Sequence, residues 1–165
     1  MTGSVQTAWQ ANLKVNTALV DHLTPEMLGA RTPGGGYSVA QHLAEIVGTV
    51  KYWGARLDEA RLGGLPNLYT MREDLDEADI EAFVAETDLT RIRQVLIETA
   101  TAAYEAAASA PGGFTGDLPH SSPDAFLIHM MVHDAHHRGQ VLLALKTSGH
   151  PLPDEDALWG PWRGE

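Results

Sequence analysis

The sequence predicts an all-α protein: a four-helix bundle with a long connection between helices two and three and a Pro/Trp-rich C-terminal tail. Three observations predict it. Four long stretches carry apolar residues at helical spacing, and no stretch shows sustained strand alternation. Each of the four is bounded by capping residues, proline or glycine. A chain of 165 residues can bury one core without staples, so a single domain over 1–165 is expected.

The first helix is expected from about Val5 to Leu23, with Val5, Trp9, Leu13, Val20 and Leu23 on one stripe. Thr24-Pro25-Glu26-Met27 reads as a cap with proline at the first position of a short second turn. Thr32-Pro33-Gly34-Gly35-Gly36-Tyr37 is a break. Ser38 then caps helix two, and Gln41 completes a capping box. That helix is expected to run to about Leu62 on a stripe of Val39, Leu43, Ile46, Val50, Trp53 and Leu57, and to end at Gly63-Gly64-Leu65-Pro66. Residues 65–76 connect, and a short helix is expected within Leu75–Thr87. Asp88 caps helix three, Leu89 to about Ala110, which carries Leu89, Ile92, Leu96 and Ala103 on its stripe and stops at Pro111-Gly112-Gly113. Ser122, Pro123 and Asp124 start helix four, which extends to about Ser148 with Gly149 at the left-handed position beyond it. Two tryptophans in the tail, Trp159 and Trp162, suggest that it packs back on the body.

Composition narrows the function classes. Apolar residues make up 44%, charged residues 20%, and the formal net charge is −11. With the eleven Lys and Arg residues scattered, no basic patch is available to release counterions from nucleic acid, and an acidic surface disfavours anionic membranes. There is no cysteine, which excludes disulfides and thiolate ligands and is compatible with a reducing cytosol. The start Met1-Thr2-Gly3-Ser4-Val5 lacks the basic and apolar regions of a signal peptide, and no apolar run approaches the ~20 residues of a membrane span. The expectation is a cytoplasmic protein acting on a small molecule, with neither nucleic acid nor membrane as partner.

The most informative feature lies on helix four. His129, His133, His136 and His137 crowd together, and three of them recur at four-residue steps. Phe126, Met130, Val141 and Ala144 define the inward side of that helix, and His133 and His137 fall on it, about 40° apart. Two unpartnered buried imidazoles would each cost on the order of 1–3 kcal/mol. A metal ion shared by side chains one turn apart would offset that cost. A third ligand has to come from another helix, and helix two offers His42 and Glu45. On the helical wheel, with His42 at zero, the stripe lies between about +20° and +80° and Glu45 at about −60°. His42 therefore borders the core, and Glu45 reaches a seam.

The segment His133-Asp134-Ala135-His136-His137-Arg138-Gly139-Gln140 resembles the His-x-x-x-His-Arg-Gly-Gln signature of the DinB/YfiT family of metal-dependent proteins. Tyr37-Ser38-Val39-Ala40-Gln41-His42-Leu43-Ala44 resembles the aromatic-Ser-Val start of that family's second helix, and the Thr24–Met27 turn and the tail are also similar. The resemblance implies a four-helix bundle holding a divalent metal, often zinc or nickel, on three histidines. Two carry over to His133 and His137. The third usually lies seven residues after the serine, where this chain has Glu45. Wheel position favours His42 and alignment with the family favours Glu45. The alignment is preferred, since His₂Glu is a workable zinc set.

The resemblance further implies a metal-dependent thiol S-transferase or hydrolase. Related proteins use thiols such as bacillithiol or mycothiol, whose pKa the metal lowers, which suits a chain without cysteine. In that reading Asp134 and Gln140 orient the ligands, while Arg138 either grips an anionic group or, more simply, forms a surface ion pair. The alternatives are a non-catalytic metal-binding stress-response protein and a scaffold that has lost its metal. Similar proteins are frequently homodimers, and the tail and helix three are the surfaces considered for an interface.

Overall fold

Local capping chemistry sets the long helices. In the computed structural model, which describes residues 1–76, 79–110 and 119–164, α1 spans Gly3–His22 and begins where the Thr2 side chain accepts from the Val5 amide. The next turn, Pro25–Gly29, is 3-10 helix, and Thr24 precedes it without a side-chain capping bond. Helix α2 spans Val39–Leu57 behind a complete capping box, in which Ser38 accepts from the Gln41 amide and Gln41 accepts from that of Ser38. It ends earlier than its periodicity suggests. Asp58 follows it, and the Asp58 side chain accepts from the Arg61 amide and so starts a separate turn, α3, over Glu59–Leu62. Leu62 folds back onto Gly54, where an added Cβ would lie 2.6 Å from a Leu62 methyl. Gly54 is thus the site of close approach that lets the chain reverse.

Helix α4 spans Leu89–Ser109, with Asp88 accepting from the Thr90 and Arg91 amides. Helix α5 spans Pro123–Thr147, capped by Ser122, and Gly149 beyond it takes φ 76°. The stop expected at Pro111-Gly112-Gly113 lies outside the described residues.

Among its described residues, the connection between α3 and α4 carries the short helix expected within Leu75–Thr87 only as a three-residue 3-10 turn. It holds β1 (Tyr69–Met71), a 3-10 turn (Ile80–Ala82) and β2 (Phe83–Ala85). The strands pair antiparallel, Tyr69 with Ala85 and Met71 with Phe83. Three-residue strands are too short for alternation to be legible in sequence. What holds them is tertiary: Gln41 Nε2 donates to the carbonyls of Ile80 and Phe83 at 3.0 and 2.7 Å, and Phe83 packs edge-on against Tyr37 and Tyr69. Gln41 therefore caps α2 and tethers the crossover with one side chain. The tail is also more ordered than a coil. Asp154 caps α6, Glu155–Arg163, which lies on α1, although Trp159 and Trp162 stay largely exposed.

The long helices pack α2 on α4 and α5, and α1 on α4 and α5. Two apolar clusters show their directions. One gathers Leu19, Val39, Leu43, Leu96 and Leu145, and the other Trp9, Val50, Ala103, Phe126 and Met130. Hence α1 and α5 run from the second cluster to the first, and α2 and α4 run the opposite way. Neighbours α2 and α4 are parallel, which a tight turn cannot connect and the long 58–88 crossover can. At the second cluster the alanines of α4 admit close approach, and the Trp9 indole donates to the Ala100 carbonyl at 3.1 Å. Between the clusters lies a polar layer of Asn12, Asn16, Thr99, Asp134 and His137, all buried. No helix among the described residues is long and apolar enough to cross a membrane.

Candidate metal centre

The polar layer reaches the surface along the α2/α5 seam, where the candidate ligands meet. Glu45, His133 and His137 each offer a ligand atom, all within 4.8 Å of one another. The Nε2 atoms of His133 and His137 are 3.1 Å apart. Two imidazoles on one tetrahedral ion, each at ~2.0–2.1 Å, would hold their nitrogens roughly 3.4 Å apart, so the observed pair needs little adjustment. His133 Nδ1 is buried with no hydrogen-bond partner among the described residues.

His42 also reaches the cluster, but from behind. Its Nδ1 lies 2.8 Å from Nδ1 of His137. With His137 Nε2 turned to the ligand position, His137 Nδ1 carries the hydrogen and His42 accepts it. This is the orienting bond that a metal-binding imidazole commonly makes. The structure thus brings all four sequence-derived candidates together and separates their places: Glu45 groups with the α5 pair, and His42 backs His137.

Electrostatics keep the imidazoles neutral. Burial, reinforced by the charge of neighbouring histidines, pushes His42 down to about 4 and His137 down to about 3, and lowers His133. Neutral nitrogens have the lone pairs that ligation requires. Burial raises Glu45 against the lowering effect of its bond from the Thr49 hydroxyl. Tyr37, half-buried and 5.7 Å from His42 between ring centroids, is raised by burial and by the charge of Glu45. Its ring also packs edge-on against Phe83. Sequence reading quoted Tyr37 only as part of a motif and missed its place here.

The other histidines stand apart. His136 is exposed, with its ring against that of His137. His129 is exposed and hydrogen-bonded to His120 at 2.8 Å.

Asp134 departs from its expected role of orienting the ligands, and Arg138 departs from the simpler expectation of a surface ion pair. Asp134 turns away from the histidines into the core, where its Oδ2 accepts from Asn12 Nδ2 at 2.7 Å and Asn16 Nδ2 at 2.8 Å. Arg138 donates from NH1 to the Oδ1 atoms of the same two asparagines, at 2.7 and 2.5 Å, and makes no ion pair within 4 Å among the described residues. Burial raises Asp134 to about 6, against the lowering effect of the two amides and of Arg138. Gln140 is half-buried on the same helix and bonds none of the cluster among the described residues. The asparagines had a sequence signal that went unread: a polar i, i+4 pair inside the apolar stripe of α1, at the same spacing as the histidine pair.

Comparison with known proteins agrees with this architecture. A crystal structure of a DinB-like protein from Bacillus cereus ATCC 10987 superposes with a TM-score of 0.61 at 20% identity, covering 91% of this chain and 94% of that one. No curated protein matches. A family model described as the DinB family matches residues 2–164, and the chain belongs to that family.

Proposed function

We propose that this DinB-family chain holds one divalent metal ion, zinc or nickel, on Glu45, His133 and His137, and uses it to transfer a group between a small electrophile and a low-molecular-weight thiol. The observation that carries the reading is the convergence of three metal-compatible ligand atoms from two helices. The donor set fits a borderline cation: two neutral imidazoles and one carboxylate, the composition of known catalytic zinc sites. Among the described residues the group has three members, which leaves coordination capacity for a cosubstrate.

A bound divalent ion supplies Lewis acidity, which lowers the pKa of a thiol or of water. The chain's own residues do the rest. His133 and His137 present unprotonated nitrogens at neutral pH. His42 fixes the tautomer and ring angle of His137. Glu45 contributes the negative charge that the histidines lack. Tyr37 keeps its phenolic proton beside Glu45 and can donate a hydrogen bond there. The absence of cysteine supports a thiol that comes from the cosubstrate. Hydrolysis by activated water is the closest variant of this reading. A non-catalytic role draws on a different feature, that the same ligands tie α2 to α5.

Metal analysis of the purified protein tests the site. One equivalent is expected in the wild type, sharply reduced occupancy in Glu45→Ala, His133→Ala and His137→Ala, and roughly 10–100-fold weaker binding in His42→Ala. Retained full occupancy in Glu45→Ala sinks this ligand assignment. Assays of the loaded protein against electrophiles with a panel of thiols, and against esters and amides, test the chemistry. A chelator-dependent melting temperature without turnover in any combination assigns the ion a structural role.

A further inference from the structure

On the side of α5 away from the histidines, α1, α5 and α6 line an open cavity of about 350 Å³. This is the size of a small-ligand pocket, which spans roughly 300–1,000 Å³. Its walls are apolar: Val15 and Leu19 from α1, Leu142 from α5, and Trp159 and Trp162 from α6. The charged residue in the lining is Arg138.

Two facts single out Arg138. Its NH1 hydrogens are committed to Asn12 and Asn16, and a guanidinium has five N–H donors. The remaining three, on Nε and NH2, have no protein partner among the described residues. In addition, the two asparagine carbonyls lock the guanidinium in place, so little side-chain entropy is left to lose when an anion docks. A fixed cation with spare donors at an apolar, tryptophan-lined cavity complements one kind of molecule, an anionic head on an apolar body.

We propose that this cavity binds a small monocarboxylate with an apolar tail, its carboxylate on the outward nitrogens of Arg138 and its tail among Leu19, Leu142 and the α6 tryptophans. The site is separate from the histidine cluster and does not depend on metal.

The test is calorimetric titration of the full-length protein with octanoate, octan-1-ol and octylamine, followed in parallel by tryptophan fluorescence. Octanoate is expected to bind at one saturable site, with octan-1-ol at least tenfold weaker and octylamine not binding. Because Arg138 is part of the buried network, its replacement could unfold the chain, so the decisive variant is Gly139→Phe. Gly139 lines the cavity, and an added Cβ there meets nothing within 4 Å. Gly139→Phe should keep its melting temperature and metal content and lose octanoate binding by tenfold or more. Equal affinity for octanoate and octan-1-ol, undiminished octanoate binding in Gly139→Phe, or no saturable binding overturns the proposal. So does a concentration-dependent dimer in sedimentation that buries Trp159 and Trp162 and ignores octanoate.

Discussion

Replacing Asp134 with asparagine should make the protein progressively more stable, relative to wild type, as pH rises from 4 to about 6.5. Asp134 is buried, and one oxygen, Oδ2, accepts both asparagine amides. In Asp134→Asn the side-chain carbonyl can take the place of Oδ2 and retain both bonds, so the substitution removes a charge while preserving shape. Burial of that charge outweighs its amide bonds and the attraction of Arg138, which is why the folded carboxyl titrates at about 6 rather than 3.8. A folded pKa above the unfolded one means that the native state binds more protons between those values. Stability then falls as pH rises through the window and is constant above it. The gap corresponds to roughly 3 kcal/mol at 1.36 kcal/mol per pH unit. The assay is urea unfolding of chelator-treated wild type and Asp134→Asn across pH 4–7.5. Subtracting one profile from the other cancels the histidines, which titrate in both. The difference should grow by about 3 kcal/mol in favour of the variant between pH 4 and 6.5 and then level off. A flat difference, or one that grows in favour of wild type, refutes the reasoning, because it would mean that Arg138 and the amides balance or outweigh desolvation.

The histidines predict the opposite slope in the metal-free protein. His42 at about 4 and His137 at about 3, against 6.5 unfolded, contribute stability that is fully present above pH 6.5 and lost as pH falls towards 4, so the apo melting temperature should drop steeply there and drop less in a His42→Gln variant. Asn16→Leu removes one bond to Asp134 and one to Arg138 and should cost about 2–3 kcal/mol in urea unfolding; a cost below half of that would mean that Asn12 alone satisfies both ions. Gly54→Ala should destabilise by ~1–3 kcal/mol despite the better helix propensity of alanine, because its Cβ would strike Leu62 at 2.6 Å; a stabilised variant would show that Leu62 moves aside freely.

The helix starts were legible because capping is a contact between residues two or three apart: Ser38 with Gln41, Asp88 with Thr90, Ser122 with Ala125. The His133/His137 pair was legible for the same reason, since four residues on a helix is a local distance. Where helix two ends was not, because its end depends on Leu62 turning back onto Gly54. Nor was the small sheet, whose three-residue strands are held by Gln41, some forty positions away in sequence. Of the short helix expected within Leu75–Thr87, the described residues form a single 3-10 turn, Ile80–Ala82, whose Ile80 carbonyl is held by the same Gln41.

By itself, then, the sequence determined what short-range chemistry determines: the long helices, their caps and the pairing of two imidazoles on one face, while wheel position pointed to His42 and resemblance to Glu45 as their companion. Tertiary structure decided everything that depends on which helix lies beside which. It ran α2 parallel to α4, put Glu45 with the α5 histidines and His42 behind His137, and turned Asp134 and Arg138 onto two asparagines of α1, 118–126 positions away. The reason is physical. A helical wheel gives the direction of a side chain about its own axis, but the neighbour it meets there is chosen by the packing of the whole core.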